Sequence, residues 1–185
     1  MNVKKHIRSN KLQREAEGYL ELGLPQQALQ TLARLGDPTG YTIEALYLWG
    51  EGLRALERPF EALVPLERAI KSAPEDVRIR LALGWCYKRT GRIDLAIDTL
   101  KQAIHFDPEE SLLRYNLACY LSLSGQKRLA LRYLAEAVSM NSVYHSLIED
   151  ESDFDPIRND PDFQASFGKK GHLPPVKQPL DGKNE

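Results

Sequence analysis

The stretch LALGWCYKRTGRIDLAIDTLKQAIHFDP, residues 81–108, decides the fold. Leu81, Leu83, Gly84 and Tyr87 sit at helical spacing, Thr90-Gly91 interrupts, and Ile93, Ala96, Leu100 and Ala103 resume the period. Gly91 stands just past the first segment, where a helix closes on a left-handed residue that glycine adopts without strain. Asp107-Pro108 ends the second segment. The stretch therefore encodes a helix, a tight turn and a second helix.

A shift of 34 residues reproduces the pattern along the chain. It links Ala28, Ala62, Ala96 and Ala130, and likewise Leu32, Leu66, Leu100 and Leu134. Ala16, Gly50, Gly84 and Ala118 form a column of small residues; Tyr19, Leu53, Tyr87 and Leu121 form a column of large ones. The turn column reads Gly23, Glu57, Gly91, Gly125. Small residues let the two helices of a hairpin approach, and large ones fill the space between hairpins. A single hairpin cannot bury its own apolar face, so stability must come from stacking. Four copies fit residues 9–144 without an insertion. They divide the chain into a basic lead-in (1–8), four units (9–144), a helical capping segment (145–168) and a disordered tail (169–185).

These columns resemble the tetratricopeptide repeat, through Leu83, Gly84, Tyr87, Gly91, Ala96, Leu100, Ala103 and Pro108 in the third copy. The first copy departs with Leu35 for alanine, and the fourth has Ser142 where proline is usual. The resemblance implies an all-α solenoid, a right-handed superhelix of helix-turn-helix hairpins. The segment from Asp153 to Phe163 resembles the closing segment that follows bacterial arrays of this family.

Composition narrows the function. Twenty-five Lys+Arg against 26 Asp+Glu leave a net charge of −1, which argues against a dedicated binder of nucleic acid or anionic membrane. No apolar run is long enough to span a bilayer. The basic start lacks the apolar core of a signal peptide. Two cysteines, Cys86 and Cys119, make no disulfide framework, so a cytoplasmic location is expected.

No catalytic constellation is present. There is no phosphate-cradling glycine loop and no nucleophile elbow. His6, His105, His145 and His172 are scattered, and Cys86 and Cys119 fall one column out of phase. The acidic run of Glu149, Asp150, Glu151, Asp153 and Asp155 lacks a calcium-loop pattern and reads as a solvated cap. No enzyme activity, cofactor or metal is expected. Asp155-Pro156 and Asp160-Pro161 each place a capping residue before a helix-starting proline, predicting two short helices. Phe154, Ile157, Phe163 and Phe167 would then cover the last repeat.

The resemblance implies a concave groove lined by the first helix of each unit. Its residues would be Glu17, Glu44, Tyr47, Glu51, Arg78, Leu81, Trp85, Lys88, Arg89, Tyr115 and Cys119. Glutamates dominate its first half; cations and rings dominate its second. Trp, Tyr and Arg are the residues enriched at binding hot spots. Trp49 falls in a core column. The family's clamp for heat-shock carboxylate tails is not reproduced, because Glu17 or Glu51 would stand where a carboxylate must bind. The reading is a non-catalytic adaptor that holds a peptide or helix of another protein. A secretion or assembly chaperone is a second reading. The third is an architectural subunit that self-associates by pairing its basic start with its acidic end.

Overall fold

Ten α-helices account for most of residues 3–168, the part of the chain that the computed structural model describes. They are α1 (Val3–Glu21), α2 (Pro25–Ala33), α3 (Ile43–Ala55), α4 (Pro59–Ser72), α5 (Val77–Arg89), α6 (Ile93–Phe106), α7 (Ser111–Leu123), α8 (Lys127–Met140), α9 (Val143–Leu147) and α10 (Pro161–Phe167). Short 3-10 turns lie at Pro38–Gly40 and Ser152–Phe154. No strand occurs among the described residues, and the chain is an all-α solenoid built of helical hairpins. The lead-in does not stand apart from the first hairpin: α1 runs through it from Val3. The tail expected at 169–185 lies outside the described residues.

Each hairpin turn uses the same backbone solution. Gly23, Gly91 and Gly125 have φ of 70°, 75° and 76°, and Glu57, in the same column, has φ of 55°. A residue with a Cβ pays about 1–2 kcal/mol for this conformation. Glu57→Gly is therefore expected to stabilise the protein by about 0.5–1 kcal/mol, after loss of a surface ion pair with Arg89. Urea denaturation checks the sign.

The first helices start on a second periodic device. Thr42 Oγ1 accepts the Ala45 N–H at 3.1 Å, Asp76 Oδ1 the Arg78 N–H at 2.9 Å, and Glu110 Oε1 the Leu112 N–H at 2.9 Å. Such caps are each worth about 1 kcal/mol.

Two compact units are present, Met1–Asp107 and Pro108–Glu185. In the first, Ala16, Ala28, Leu32 and Leu48 form one buried cluster. Leu46, Leu53, Ala62, Leu63, Leu66, Ile79, Leu83 and Cys86 belong to another. The small column does what its size predicts: a Cβ built on Gly50 would lie 2.5 Å from Leu66 Cγ. Trp49 is half-buried, packed against both clusters, with its ring 5.8 Å from that of Tyr41.

Arg80 is a buried cation, only 7% exposed. Its Nε donates to the Pro74 carbonyl at 2.8 Å and its Nη1 to Gln102 Oε1 at 2.7 Å, with its guanidinium 5.2 Å from the Phe106 ring centre. The arginine thereby ties the start of α5 to both the preceding loop and the end of α6.

In the second unit, α7 and α8 pair, and the segment after α9 folds onto α7. Phe154, Ile157, Phe163 and Phe167 are all buried, as their spacing predicts. Phe154 meets the Tyr115 ring edge-on at 5.9 Å and lies 5.9 Å from Phe163. Asp160-Pro161 starts α10, and Asp160 Oδ1 accepts the Asp162 N–H at 2.9 Å. Asp155-Pro156 starts no helix. Arg158 holds that stretch in turns, donating to the Ile148 and Glu151 carbonyls at 3.1 and 2.6 Å and to Asp155 at 2.8 Å. Nor is the acidic run simply a solvated charge cluster. Glu151 caps the 3-10 turn, Asp155 pairs with Arg158, and Asp160 and Asp162 share Lys127.

Candidate protein-interaction face

Within the first unit, α3 packs beside both α1 and α5. Helices α3 and α5 carry two linked side-chain groups. Arg78 reaches back from α5 to Glu44 Oε2 at 3.1 Å and to Asp76 Oδ2 at 2.9 Å, with its guanidinium 4.7 Å from the Tyr47 ring centre. Two turns farther along α3, Arg54 forms a fork on Glu51, Nε to Oε1 at 2.8 Å and Nη2 to Oε2 at 2.7 Å. The Arg54 guanidinium lies 5.6 Å from the Trp85 ring centre, and the Arg89 guanidinium 5.5 Å from it. Arg89 in turn pairs with Glu57. Planar guanidinium groups stack on aromatic faces while keeping N–H donors at their edges, which lysine cannot do.

This network changes the expected charge pattern. The acidic first half and cationic second half do not face a ligand as separate fields. Glu44 and Arg78 neutralise each other across adjacent helices, and Glu51 neutralises Arg54 along one helix. Exposed pairs of this kind contribute about 0–1 kcal/mol each, so their main effect is to fix ring and guanidinium orientation. Glu17, on α1, is exposed and has no ion-pair partner among the described residues. Leu81, Trp85 and Lys88 are half-buried and Arg89 is exposed, all on α5.

Burial, reinforced by the charge of Glu51, pushes the Tyr47 phenol up to about 12. Hydrogen bonds to Asp76 and Glu44 hold Arg78 above its ordinary range. Burial likewise pushes the Cys86 thiol up to about 12, which keeps it an unreactive thiol near neutral pH.

Two predicted groove residues are not surface groups. Tyr115 and Cys119 belong to the second unit, where they are 5% and 2% exposed. The Tyr115 ring stacks on Tyr144 at 4.7 Å and is closed from its edge by Phe154. The capping segment has taken the place that a ligand would need. Burial raises the Tyr115 phenol far above its ordinary value. The stacking of Arg54 on Trp85 and the pairing of Glu57 with Arg89 are not legible from the columns, because their 31- and 32-residue offsets miss the repeat period. Among the described residues no His, Cys, Asp and Glu group could hold a metal ion, and no helix is long and apolar enough to cross a membrane.

Residues 53–118 match the tetratricopeptide repeat family. The chain is 30% identical over 84 residues to y4yS of Sinorhizobium fredii (strain NBRC 101917 / NGR234), described as an uncharacterized protein. That match covers 45% of this chain and 46% of the relative, so the chain spans less than half of the curated relative's length. The fold is similar to that of MamA, with a TM-score of 0.64 at 23% identity, covering 75% of this chain and 81% of MamA. It is also similar to YrrB, described as a TPR protein with an unusual peptide-binding site, with a TM-score of 0.65 at 22% identity over 73% of this chain and 70% of YrrB. The in-phase columns, the left-handed hairpin turns and the family match over residues 53–118 together support a tetratricopeptide repeat protein.

Proposed function

We propose that the α1–α3–α5 face of the first unit binds an extended or helical segment of another protein and performs no chemistry on it. The carrying observation is the arginine-stacked pair of rings, Tyr47 beneath Arg78 and Trp85 beside Arg54 and Arg89. Tyr, Trp and Arg supply large contact area, and here internal ion pairs already hold their orientation, which lowers the ordering cost of binding. Glu17 adds an unneutralised carboxylate, so a partner with a basic residue opposite α1 and apolar residues opposite Tyr47 and Trp85 fits this face.

YrrB, a TPR protein with an unusual peptide-binding site, agrees with this reading by analogy of fold. A client-holding chaperone would use the same face. End-to-end association by charge has lost most of its acidic surface to Lys127, Arg158 and the turn caps.

The test is affinity capture from native lysate with wild type and a Tyr47→Ala/Trp85→Ala variant of unchanged circular dichroism. A protein captured by wild type is expected to fall at least tenfold with the variant. Equal capture by both overturns the assignment of this face.

A further inference from the structure

A cavity lies at the open end of the first hairpin, different in chemistry from the aromatic face. It has a volume of about 410 Å³ and is lined by residues of α1, the end of α2 and the α2–α3 loop. That volume falls at the small-ligand end of binding cavities. Its floor is apolar, made by Leu12, Leu35 and Tyr41, and its rim carries His6, Arg8 and Arg34.

The repeat explains why this space is open. The residue at its floor, Leu12, has Leu46, Arg80 and Arg114 as its counterparts at steps of 34. In the third repeat the Arg80 guanidinium fills the corresponding place, bonded to the Pro74 carbonyl and to Gln102. In the fourth, Arg114 donates to the Pro108 carbonyl and to Glu136. Both fillers are donors facing acceptors. In the second repeat, Leu46 has no guanidinium, and Arg68 turns onto the Pro38 and Thr39 carbonyls instead.

The first repeat inverts the arrangement. The filler is the short Leu12, and the acceptor position of Gln102 and Glu136 is held by the donor Arg34. The counterparts of Pro38 and Thr39 one period back fall at positions 4 and 5, inside α1, so a helix stands where Arg68 finds its loop carbonyls. Arg34 pairs with Glu15 at 3.2 Å, and Arg8 donates to the Arg34 carbonyl at 3.4 Å. The acid at the rim, Asp37, is committed to the loop: its carboxylate accepts the Thr39 N–H at 2.9 Å, which holds it below the usual carboxylate range. Where later repeats seat a cation among acceptors, this one offers donors around an apolar floor.

We propose that this cavity binds a carboxylate carried on a short apolar chain, the carboxylate at Arg8 and Arg34 and the chain over Leu12, Leu35 and Tyr41. Arginine favours such an anion through paired, charge-assisted hydrogen bonds. The ligand source is either a free organic acid or the C-terminus of a polypeptide ending in an apolar residue; both present the same group.

The experiment is an NMR titration of the ¹⁵N-labelled full chain, reading the amides of Ser9, Thr39, Gly40 and Thr42. The probes are 4-methylpentanoate, its neutral amide, sodium phosphate, and an acetylated tripeptide ending in leucine with a free or an amidated terminus. Saturable shifts are expected with 4-methylpentanoate and at least tenfold weaker binding with its amide. Arg34→Gln, a change at an exposed position, is expected to weaken the acid at least tenfold. Leu12→Arg should abolish binding by filling the cavity as Arg80 does. Binding of the free-terminus tripeptide as well assigns the site to chain ends; binding of the small acid alone assigns it to free metabolite acids. Equal shifts with the amide or with phosphate, no saturation with any acid, or an unchanged response in Arg34→Gln overturns the proposal. None of these readouts depends on Tyr47 or Trp85, so failure here leaves the aromatic face standing, and the reverse holds.

Discussion

Phe154→Ala is expected to destabilise the second unit by about 3–5 kcal/mol, the range for removing a fully buried aromatic ring. Phe154 is 0% exposed and is the central ring of a chain of contacts from Tyr115 through Phe163 to Phe167. Truncating it leaves a void between α7 and the capping segment, and neither neighbour can collapse into it, because Tyr115 is already stacked on Tyr144. Denaturant unfolding followed by circular dichroism reads the loss, and Phe154→Leu should recover more than half of it. A second readout follows from Tyr115. Burial raises its phenol pKa in the folded state, so the stability that its neutral form contributes is present below pH 10 and is lost as pH rises through the folded value. With Phe154 truncated, the Tyr115 phenolate should appear closer to pH 10 in an ultraviolet titration. A stability change below 1 kcal/mol with unaltered tyrosine titration would show that the capping segment does not hold this face.

The second large effect is expected at Arg80. Arg80→Ala removes hydrogen bonds from a charged donor, worth about 1.5–3 kcal/mol each, and strands the Pro74 carbonyl and the Gln102 side chain. The stem also packs on Phe106, so lost packing adds to lost bonding. We expect a loss of about 2–4 kcal/mol, read by urea denaturation. Arg80→Lys should recover little, because a point-like ammonium cannot span two acceptors and stack on a ring at once. Burial alone disfavours this charge, and the direction of its pKa shift, downward, says so. Its carbonyl and amide partners therefore account for its presence. Equal stability of Arg80→Ala and wild type would sink this account.

The helices, their turns and the small-residue columns were legible because backbone rules repeat with the sequence. Gly23, Gly91 and Gly125 announce the left-handed turn, and Glu57, in the same column, adopts it as well. The aromatic cap was legible too, from Phe154, Ile157, Phe163 and Phe167. The interaction face was read only in part. Its members on α3 and α5 were named, but charge was read column by column; Arg78 and Glu44 do stand one period apart, whereas Arg54 meets Trp85 and Arg89 meets Glu57 at offsets that are not multiples of the period. Tyr115 and Cys119 were assigned to the groove because their columns face it in the middle copies. What covers them is a segment that follows the last repeat and has no counterpart column. The 410 Å³ cavity was invisible for a related reason: it arises from a side chain being too short, and only the packing of Arg80 and Arg114 elsewhere shows what length the place requires.

The seal of Phe154 over Tyr115 also bears on how such a chain can lengthen. Tyr115 of α7, Tyr144 of α9 and the rings of the capping segment share one aromatic cluster, so α7 and the cap form an endpiece with a matched surface. An in-frame duplication of 34 residues placed between α3 and α6 would meet columns that already fit one another. A copy of the third unit inserted between α8 and the cap would set Phe154 against a first helix with a leucine, the counterpart Leu81, where Tyr115 should be. Added copies are thus expected to be tolerated in the interior of the array and not at its capped end, where the last first helix must present the surface that Phe154 covers.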